Sequence, residues 1–380
     1  MKANIPNNKD GIFIGLMSGT SMDGVDAVAV NFIDNKLHLV SSLINPYPLA
    51  IRERLLEITN TSNQFSLEKI ATLDILIGKF FASTVEKLLQ KTAIVSNDVI
   101  AIGSHGQTIS HNINKTTPYS WQIGNPANIT AQTGITTVAN FRSSDVAMGG
   151  QGAPLVPAFH EYQFSSDNYH RVIVNVGGIA NISILKKSAT HLAGYDTGPG
   201  NCLMDDWCRI NARGNFDKGG EWAKSGNVIQ SLLHELLNAS YFNQEKTKST
   251  GRELFNLSFL NKVITTKKEW IKAAPEDIQA TLLKLTTRSI IKEISKQTLY
   301  PPPEIFICGG GASNDFLMRD FKKELPDQKI KDTDCLGIHP DFVEAAAFAW
   351  MAKKKIAESP VKLVTGGKHR QLVLGVTYRA

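Results

Sequence analysis

A chain of 380 residues is long for a single hydrophobic core, so two domains are expected. Its 42% hydrophobic and 20% charged residues fit a soluble globular protein and exclude a disordered or fibrous one. A net charge of +6 spread over this length favours an anionic ligand but is too diffuse for a nucleic-acid partner.

Cys202, Cys208, Cys308 and Cys335 form no C-x-x-C pair and lack a matching histidine spacing. Neither a disulfide framework nor a structural zinc site is therefore indicated. Met1 to Asp10 is polar and expected to fray, with no charged-then-apolar leader. The most apolar helical pattern, Val343 to Ala352, is too short to cross a bilayer. Lysines near Lys246, Lys267 and Lys353 read as solvated surface, and Lys353-Lys354-Lys355 suits the end of a helix. These features predict a cytoplasmic protein with no membrane partner.

In chain order, Gly11 to Met17 is a strand-like run that breaks at Ser18-Gly19-Thr20-Ser21-Met22-Asp23-Gly24 and resumes from Val25 to Phe32. A third run, Leu37 to Ile44, follows a turn at Asp34-Asn35. The first hairpin loop is either an ordinary polar turn or a phosphate cradle of N–H groups and hydroxyls. It has neither Walker nor dinucleotide-fingerprint spacing. From Ser66 to Lys91, apolar residues recur at helical spacing. Asp98 to Gly103 is a buried strand expected to end in Ser104-His105-Gly106-Gln107-Thr108. Polar residues there are at a ligand-binding position of open α/β sheets, although a lone His105 is often structural. Trp121 to Pro126 reads as a helix start, and Thr136 to Asn140 as a strand.

Arg142 and Asp145 stand three apart beside a glycine-rich turn within Phe141 to Leu155, a region that reads as the domain junction. They form either a surface ion pair or a recognition pair for a carboxylated or hydroxylated ligand. The second half repeats the first: strand His170 to Val176, turn Gly177-Gly178, strand Ile179 to Leu185. Asp196 follows within Gly194-Tyr195-Asp196-Thr197-Gly198-Pro199-Gly200-Asn201, in what reads as a rigid turn before a helix. It is either a cap or a general base. Helical patterns run from Asn201, from Asn227 to Leu237, and from Pro275 to Lys296. The strand Glu304 to Cys308 enters Gly309-Gly310-Gly311-Ala312-Ser313-Asn314, where three glycines permit close approach to a ring or ribose. Ser313 or Asn314 caps the next helix. Glu344, in the Ala-rich helix, either faces solvent or points toward a ligand.

Six motifs then stand together: G-L-M-S-G-T-S-M-D-G-V-D from Gly15, S-H-G-Q-T from Ser104, G-G-Q-G-A-P-L-V-P-A-F-H from Gly149, N-V-G-G-I-A-N from Asn175, D-T-G-P-G-N from Asp196, and C-G-G-G-A-S-N from Cys308. From about Gly11 to the end, the chain resembles the anhydro-N-acetylmuramic acid kinase family of the acetate and sugar kinase, Hsp70 and actin superfamily. The resemblance implies an α/β fold of two ribonuclease-H-like (actin-like ATPase) domains with mixed sheets and a cleft between them. The boundaries expected are 1–140 and 141–380, with the chain end packing back on the first domain. It implies ATP and Mg²⁺, an anhydro amino sugar substrate and a homodimer. Asp196 would be the base that activates water. ATP would be held by Gly19, Thr20, Ser21, Met22, Asp23, Gly24, Val25 and Asp26, by Gly177, Gly178 and Asn181, and by Gly309, Gly310, Gly311 and Asn314. Asp23 would lie nearest the metal. His105, Arg142, Asp145 and Glu344 would contact the sugar.

Overall fold

A computed structural model describes residues 10–59, 65–113, 116–187, 192–243, 250–365 and 368–380. Met1 to Lys9 and Lys246, read above as frayed and as surface, lie outside them. The chain divides into two compact units, one of residues 1–159 with 341–380 and one of 160–340. The boundary expected at residue 140 falls inside the first unit, and the last forty residues belong to that unit.

In the first unit, strands β1 (Gly11–Ser18), β2 (Gly24–Ile33) and β3 (Lys36–Pro46) form an antiparallel meander. Asp34 and Asn35, with φ of 51° and 58°, make the tight second turn, as residues tolerant of left-handed backbone do. β4 (Val99–Asn112) and β6 (Thr137–Ala139) lie parallel beyond β1, while β5 (Tyr119–Ile123) pairs with the far half of β4. The sheet order is thus β6-β4-β1-β2-β3, with the strand Val376–Tyr378 outside β6. Two expectations change here. β4 does not stop at Gly103 but runs through Ser104 to Thr108, because β5 supplies backbone partners for its extension. Trp121 to Ile123 belongs to that partner strand, and the helix starts only at Pro126, capped by the Asn125 side chain.

Both faces of this sheet are covered, which explains the unbroken apolar run of β1. Ile14 and Leu16 pack with Leu73, Ile77, Phe81, Val85 and Leu88 of the long helix Leu67–Thr92. That helix begins with Ser66 accepting the Lys69 N–H. On the opposite face lies the helix Val343–Ile356. A Cβ on Gly15 would come within 1.8 Å of the Ala345 carbonyl oxygen, and one on Gly103 within 2.0 Å of that of Phe348. These two glycines are cross-strand neighbours. They form a flat floor for the helix. Lys353, one helical turn from its end, bonds Asp10 at 3.0 Å and sits over the Phe32 ring. Asp10 is therefore anchored, not frayed.

The second unit repeats the plan with β7 (Arg171–Val176), β8 (Ile179–Leu185), β9 (Leu192–Pro199), β10 (Glu304–Cys308) and β11 (Ile330–Asp332). β7 to β9 form the antiparallel meander, and β10 and β11 lie parallel beyond β7. Val172, Val174, Ile305 and Ile307 share a core with Leu282, Leu285 and Ile290 of the helix Pro275–Ser295. β9 continues through Asp196 to Pro199, so this acid stands in a strand and not in a turn. The next helix, Cys202–Ile210, takes Asn201 as its N-cap residue, which removes the capping role considered for Asp196.

Gly15→Ala drives a methyl group into helix backbone and is expected to cost about 3 kcal/mol, at or above the usual overpacking penalty. Gly19→Ala, whose Cβ meets nothing nearer than 4.0 Å, is expected to leave stability nearly unchanged. Denaturant midpoints of the two variants check the contrast.

Candidate active site

The residues expected to bind ligands fall into two sets, one built by each sheet. In the first unit, the β1–β2 loop is pinned at its base and open at its tip. The buried Ser18 hydroxyl lies 2.7 Å from the Gly24 carbonyl and 2.7 Å from Gln107 Oε1, and it accepts the Tyr47 hydroxyl at 3.1 Å. Gln107 Nε2 donates to the Gly19 carbonyl, as does the N–H of Met22. Met22 takes a left-handed φ of 53° and buries its side chain, as does Val25. Thr20, Ser21 and Asp23 remain exposed, with the Ser21 hydroxyl donating to Asp23 at 2.8 Å.

Asp26, on β2 opposite Met17, is pushed up to about 8. Burial is the main cause, and the carboxylates of Asp23, Asp341 and Glu344 add to it. The first turn of the helix Val343–Ile356 therefore brings Glu344 to the acids of the loop. Such an excess of hard, negative oxygen suits a divalent cation. Among the described residues no group of three or more His, Cys, Asp or Glu is arranged as a ready metal cage. Mg²⁺ commonly completes its shell with water and substrate phosphates, so this donor set fits it.

His105 and Arg142 are brought together. His105 Nδ1 lies 2.9 Å from the Gly106 carbonyl, which can only accept, so Nδ1 carries the proton. Nε2 then accepts Arg142 Nε at 3.0 Å, and Arg142 Nη1 donates to the Gly152 carbonyl at 2.5 Å. Burial, with Arg142's charge second, lowers the His105 pKa to about 3. A neutral imidazole thus orients a guanidinium without repelling it. Asp145 takes no part in a surface pair, because it is fully buried and accepts the Thr365 hydroxyl and the Gly152 N–H, both at 2.8 Å. Its ionic partner is Arg370, at 3.8 Å. A Cβ on Gly150 would fall 2.2 Å from its carboxylate, so the glycine-rich loop is wound around Asp145. Thr365 and Arg370 carry no sequence signal, being more than two hundred residues away from their partner.

In the second unit, strand register aligns a polar row. Cys308 pairs with Asn175, Asn175 with Asn181, and Asn181 with Asp196. Directly paired residues share a face, so Asn181 is Asp196's neighbour. Asp196 is 6% exposed, and its Oδ2 accepts the Thr250 N–H at 2.9 Å. The Gly177 and Gly178 carbonyls accept the N–H groups of Asn201, Gly200 and Cys202. This locks the β7–β8 turn against the end of β9, and a Cβ on Gly200 would meet the Gly177 oxygen at 2.2 Å. Of the three glycines after β10, Gly309 and Gly311 pack on Asn175 and Val176, where an added methyl on either would come within 2.4 Å. Gly310 is open to within 3.9 Å of Asn201. Packing explains two of the three, leaving Gly310 for close approach. Asn314 caps the helix Asp315–Glu324 by accepting the Leu317 N–H, and Gly220 abuts it. Thr250 and Asn175 were not singled out by the sequence. Asn175 at least opened a motif, whereas Thr250 had no mark.

Two sheets of the same order, each an antiparallel meander with two parallel strands added to its first strand, define an actin-like ATPase of two ribonuclease-H-like units. A family model described as anhydro-N-acetylmuramic acid kinase matches residues 11–380. A relative of that name from Shewanella sp. (strain MR-4) is 45% identical over 370 residues, 97% of this chain and 98% of the relative. One from Vibrio vulnificus (strain YJ016) is 42% identical over 369 residues, with the same coverage. The chain belongs to the anhydro-N-acetylmuramic acid kinase family. Among solved structures, the activator of the 2-hydroxyisocaproyl-CoA dehydratase from Clostridium difficile with bound ADPNP gives a TM-score of 0.46 at 13% identity, over 91% of this chain and 96% of that one.

A second buried imidazole, His160, has Nδ1 2.8 Å from the Ser183 hydroxyl and is lowered by burial to about 3. Folded His105 and His160 stay neutral where the unfolded chain takes up protons, below about 6.5. Their contribution to stability is therefore complete above pH 6.5 and is lost as pH falls toward 3. Urea melts between pH 6.5 and 5 should lose up to about 1.4 kcal/mol per group per pH unit. His160→Gln should remove one group's share of that slope.

Proposed function

We propose that this protein is an ATP-dependent kinase that opens 1,6-anhydro-N-acetylmuramic acid with water and phosphorylates O6. The products are N-acetylmuramic acid 6-phosphate and ADP, a step in recycling peptidoglycan. The single observation that carries the chemistry is Asp196: a nearly buried carboxylate, fixed on a strand, with one oxygen held by a main-chain N–H. Asp196 takes a proton from water as the water oxygen bonds to the anomeric carbon. The C1–O6 bond breaks, O6 bonds the γ-phosphorus, and the bond to the ADP oxygen breaks. Phosphoryl transfer asks the protein for position and charge neutralisation more than for covalent chemistry.

The residues divide accordingly. The pinned loop from Gly19 to Asp26 would cradle the β- and γ-phosphates through the N–H groups and hydroxyls of its exposed tip. Gly177, Gly178 and Asn181 would meet phosphate from the second sheet, and Gly310, with Gly309, Gly311 and Asn314 around it, the adenosine. Asp23 would hold Mg²⁺ together with the nucleotide, and the cation would supply charge neutralisation at the phosphates. Arg142, oriented by His105, would bind the lactyl carboxylate. Asp145 would act through the glycine-rich loop that it holds. Glu344, among the acids of the phosphate loop, would contact the sugar. A cytoplasmic homodimer completes this reading, on family membership alone.

The testing assay couples ADP release to ATP, Mg²⁺ and three sugars: the anhydrosugar, N-acetylmuramic acid and N-acetylglucosamine. Turnover with the anhydrosugar alone, yielding a 6-phosphate, is expected. Turnover only with an ordinary sugar would discard the water-activating role of Asp196. Asp196→Asn should keep nucleotide affinity and lose roughly 10²- to 10⁴-fold in kcat, the usual worth of a general base. Normal turnover in that variant would sink the assignment.

A further inference from the structure

Asp196 is held by segments far from it in the chain. Its main-chain carbonyl accepts the Tyr241 hydroxyl at 2.9 Å, and its carboxylate accepts the Thr250 N–H at 2.9 Å. Thr250 is in turn held from two residues away. Arg252 Nη2 donates to Asp206 Oδ1 at 2.6 Å, and the Asn256 side chain donates to the Arg252 carbonyl at 2.8 Å. The Asp206 side chain is 8% exposed and also receives Arg209. It stands on the helix Cys202–Ile210, which leaves directly from the end of β9. Strand, helix and returning segment thus form a closed brace with Asp196 at its centre. Asp206 is nearly buried while Arg252 is 34% exposed, so solvent screens the pair in part, and removing Arg252 leaves the buried carboxylate with Arg209 as its remaining cation.

Two further atoms give this brace a chemical face. Thr250 Oγ1 and Asn181 Oδ1 are both buried without a hydrogen-bond partner among the described residues. One belongs to the residue bonded to Asp196, and the other to its cross-strand neighbour. Buried polar atoms without partners are uncommon and call for an explanation. Beside a candidate base, two such atoms offer the further polar contacts that a bound water needs. Negative charges act on Tyr241, whose hydroxyl donates to the Asp196 carbonyl. Burial, and then the charge of Asp196, hold the Tyr241 phenol well above its usual range, with Glu293, Glu253 and Tyr195 adding to it.

We propose that Thr250, braced by the Arg252–Asp206 ion pair, is a positioning residue of the reaction: its N–H orients the Asp196 carboxylate and its hydroxyl, with Asn181 Oδ1, holds the attacking water. This inference rests on Asp196 being the base. A bond from an N–H to a carboxylate favours the charged form, so the brace keeps Asp196 ready to accept a proton. The proton from water passes to the Asp196 carboxylate.

The test measures kcat against pH in the full-length protein with ATP, Mg²⁺ and the anhydrosugar, using Arg252→Met, Asp206→Asn, Thr250→Ala and Asp196→Asn. Arg252→Met and Asp206→Asn should each lower kcat roughly 10- to 100-fold and move its acid limb up by about one pH unit. The KM for ATP should stay within about twofold. Arg252→Lys should recover part of the rate. Thr250→Ala keeps the N–H, so it should lower kcat with the acid limb unmoved. Asp206→Asn is nearly isosteric and carries the ion-pair test if Arg252→Met does not fold. An inactive Asp196→Asn beside an unmoved acid limb in folded Asp206→Asn would overturn the brace and leave the base intact. An active Asp196→Asn would overturn the base reading, and the brace with it.

Discussion

The helix Val343–Ile356 rests on bare backbone, with the carbonyls of Ala345 and Phe348 set against Gly15 and Gly103 where any side chain would intrude. Because the contact allows so little clearance, the helix has essentially one height and one rotation above the sheet. Several features of the first unit inherit that precision. The helix's first turn carries Glu344 to Asp26, on which the charge of Asp23 also acts. Phe348 stacks on the His105 ring at 4.7 Å, and His105 orients Arg142. The acids around the β1–β2 loop and the cation proposed for the sugar are thus set by the same packing decision, at two glycines outside that loop.

The second unit solves a related problem by register rather than by close approach. Pairing across β10, β7, β8 and β9 sets Cys308, Asn175, Asn181 and Asp196 in line. A slip of one residue in any of these pairs would turn a polar side chain to the opposite face. The glycine turn between β7 and β8 guards against that slip. Gly177 and Gly178 are tied by three main-chain bonds to the residues after β9, so the turn and the strand end move together.

What could be read from the sequence was local. The hairpins, the glycine turns, the long helices from Ser66 and Pro275 and the cap at Asn314 follow from periodicity and turn chemistry within a few residues. The repeated strand–glycine turn–strand pattern paired the two halves, and motif resemblance added the family. What stayed hidden was set by distant partners. Ser104 to Thr108 looked like a strand's polar end, yet Gln107 and Ser18 bond each other and the hairpin loop while β5 extends the ladder. Asp196 looked like a turn residue because glycine and proline surround it, but β8 keeps it in a strand. Asp145 seemed paired with its near neighbour Arg142, whereas Thr365 and Arg370 enclose it. Thr250 had no mark at all, since its contribution to Asp196 is a main-chain N–H that any residue but proline possesses.

The division of the chain has a further meaning during synthesis. Residues 160–340 are contiguous and carry a complete five-stranded sheet, whereas the first unit is assembled from 1–159 and 341–380. On the ribosome, domains fold as units as they emerge, at about 5 to 20 residues per second. The first-made sheet must therefore wait, with the face around Gly15 and Gly103 uncovered, until the helix Val343–Ile356 has been translated. That interval, on the order of ten seconds or more for some two hundred residues at those rates, leaves an apolar surface exposed on the nascent chain. Chaperone dependence would then be concentrated on the half of the protein that is made first.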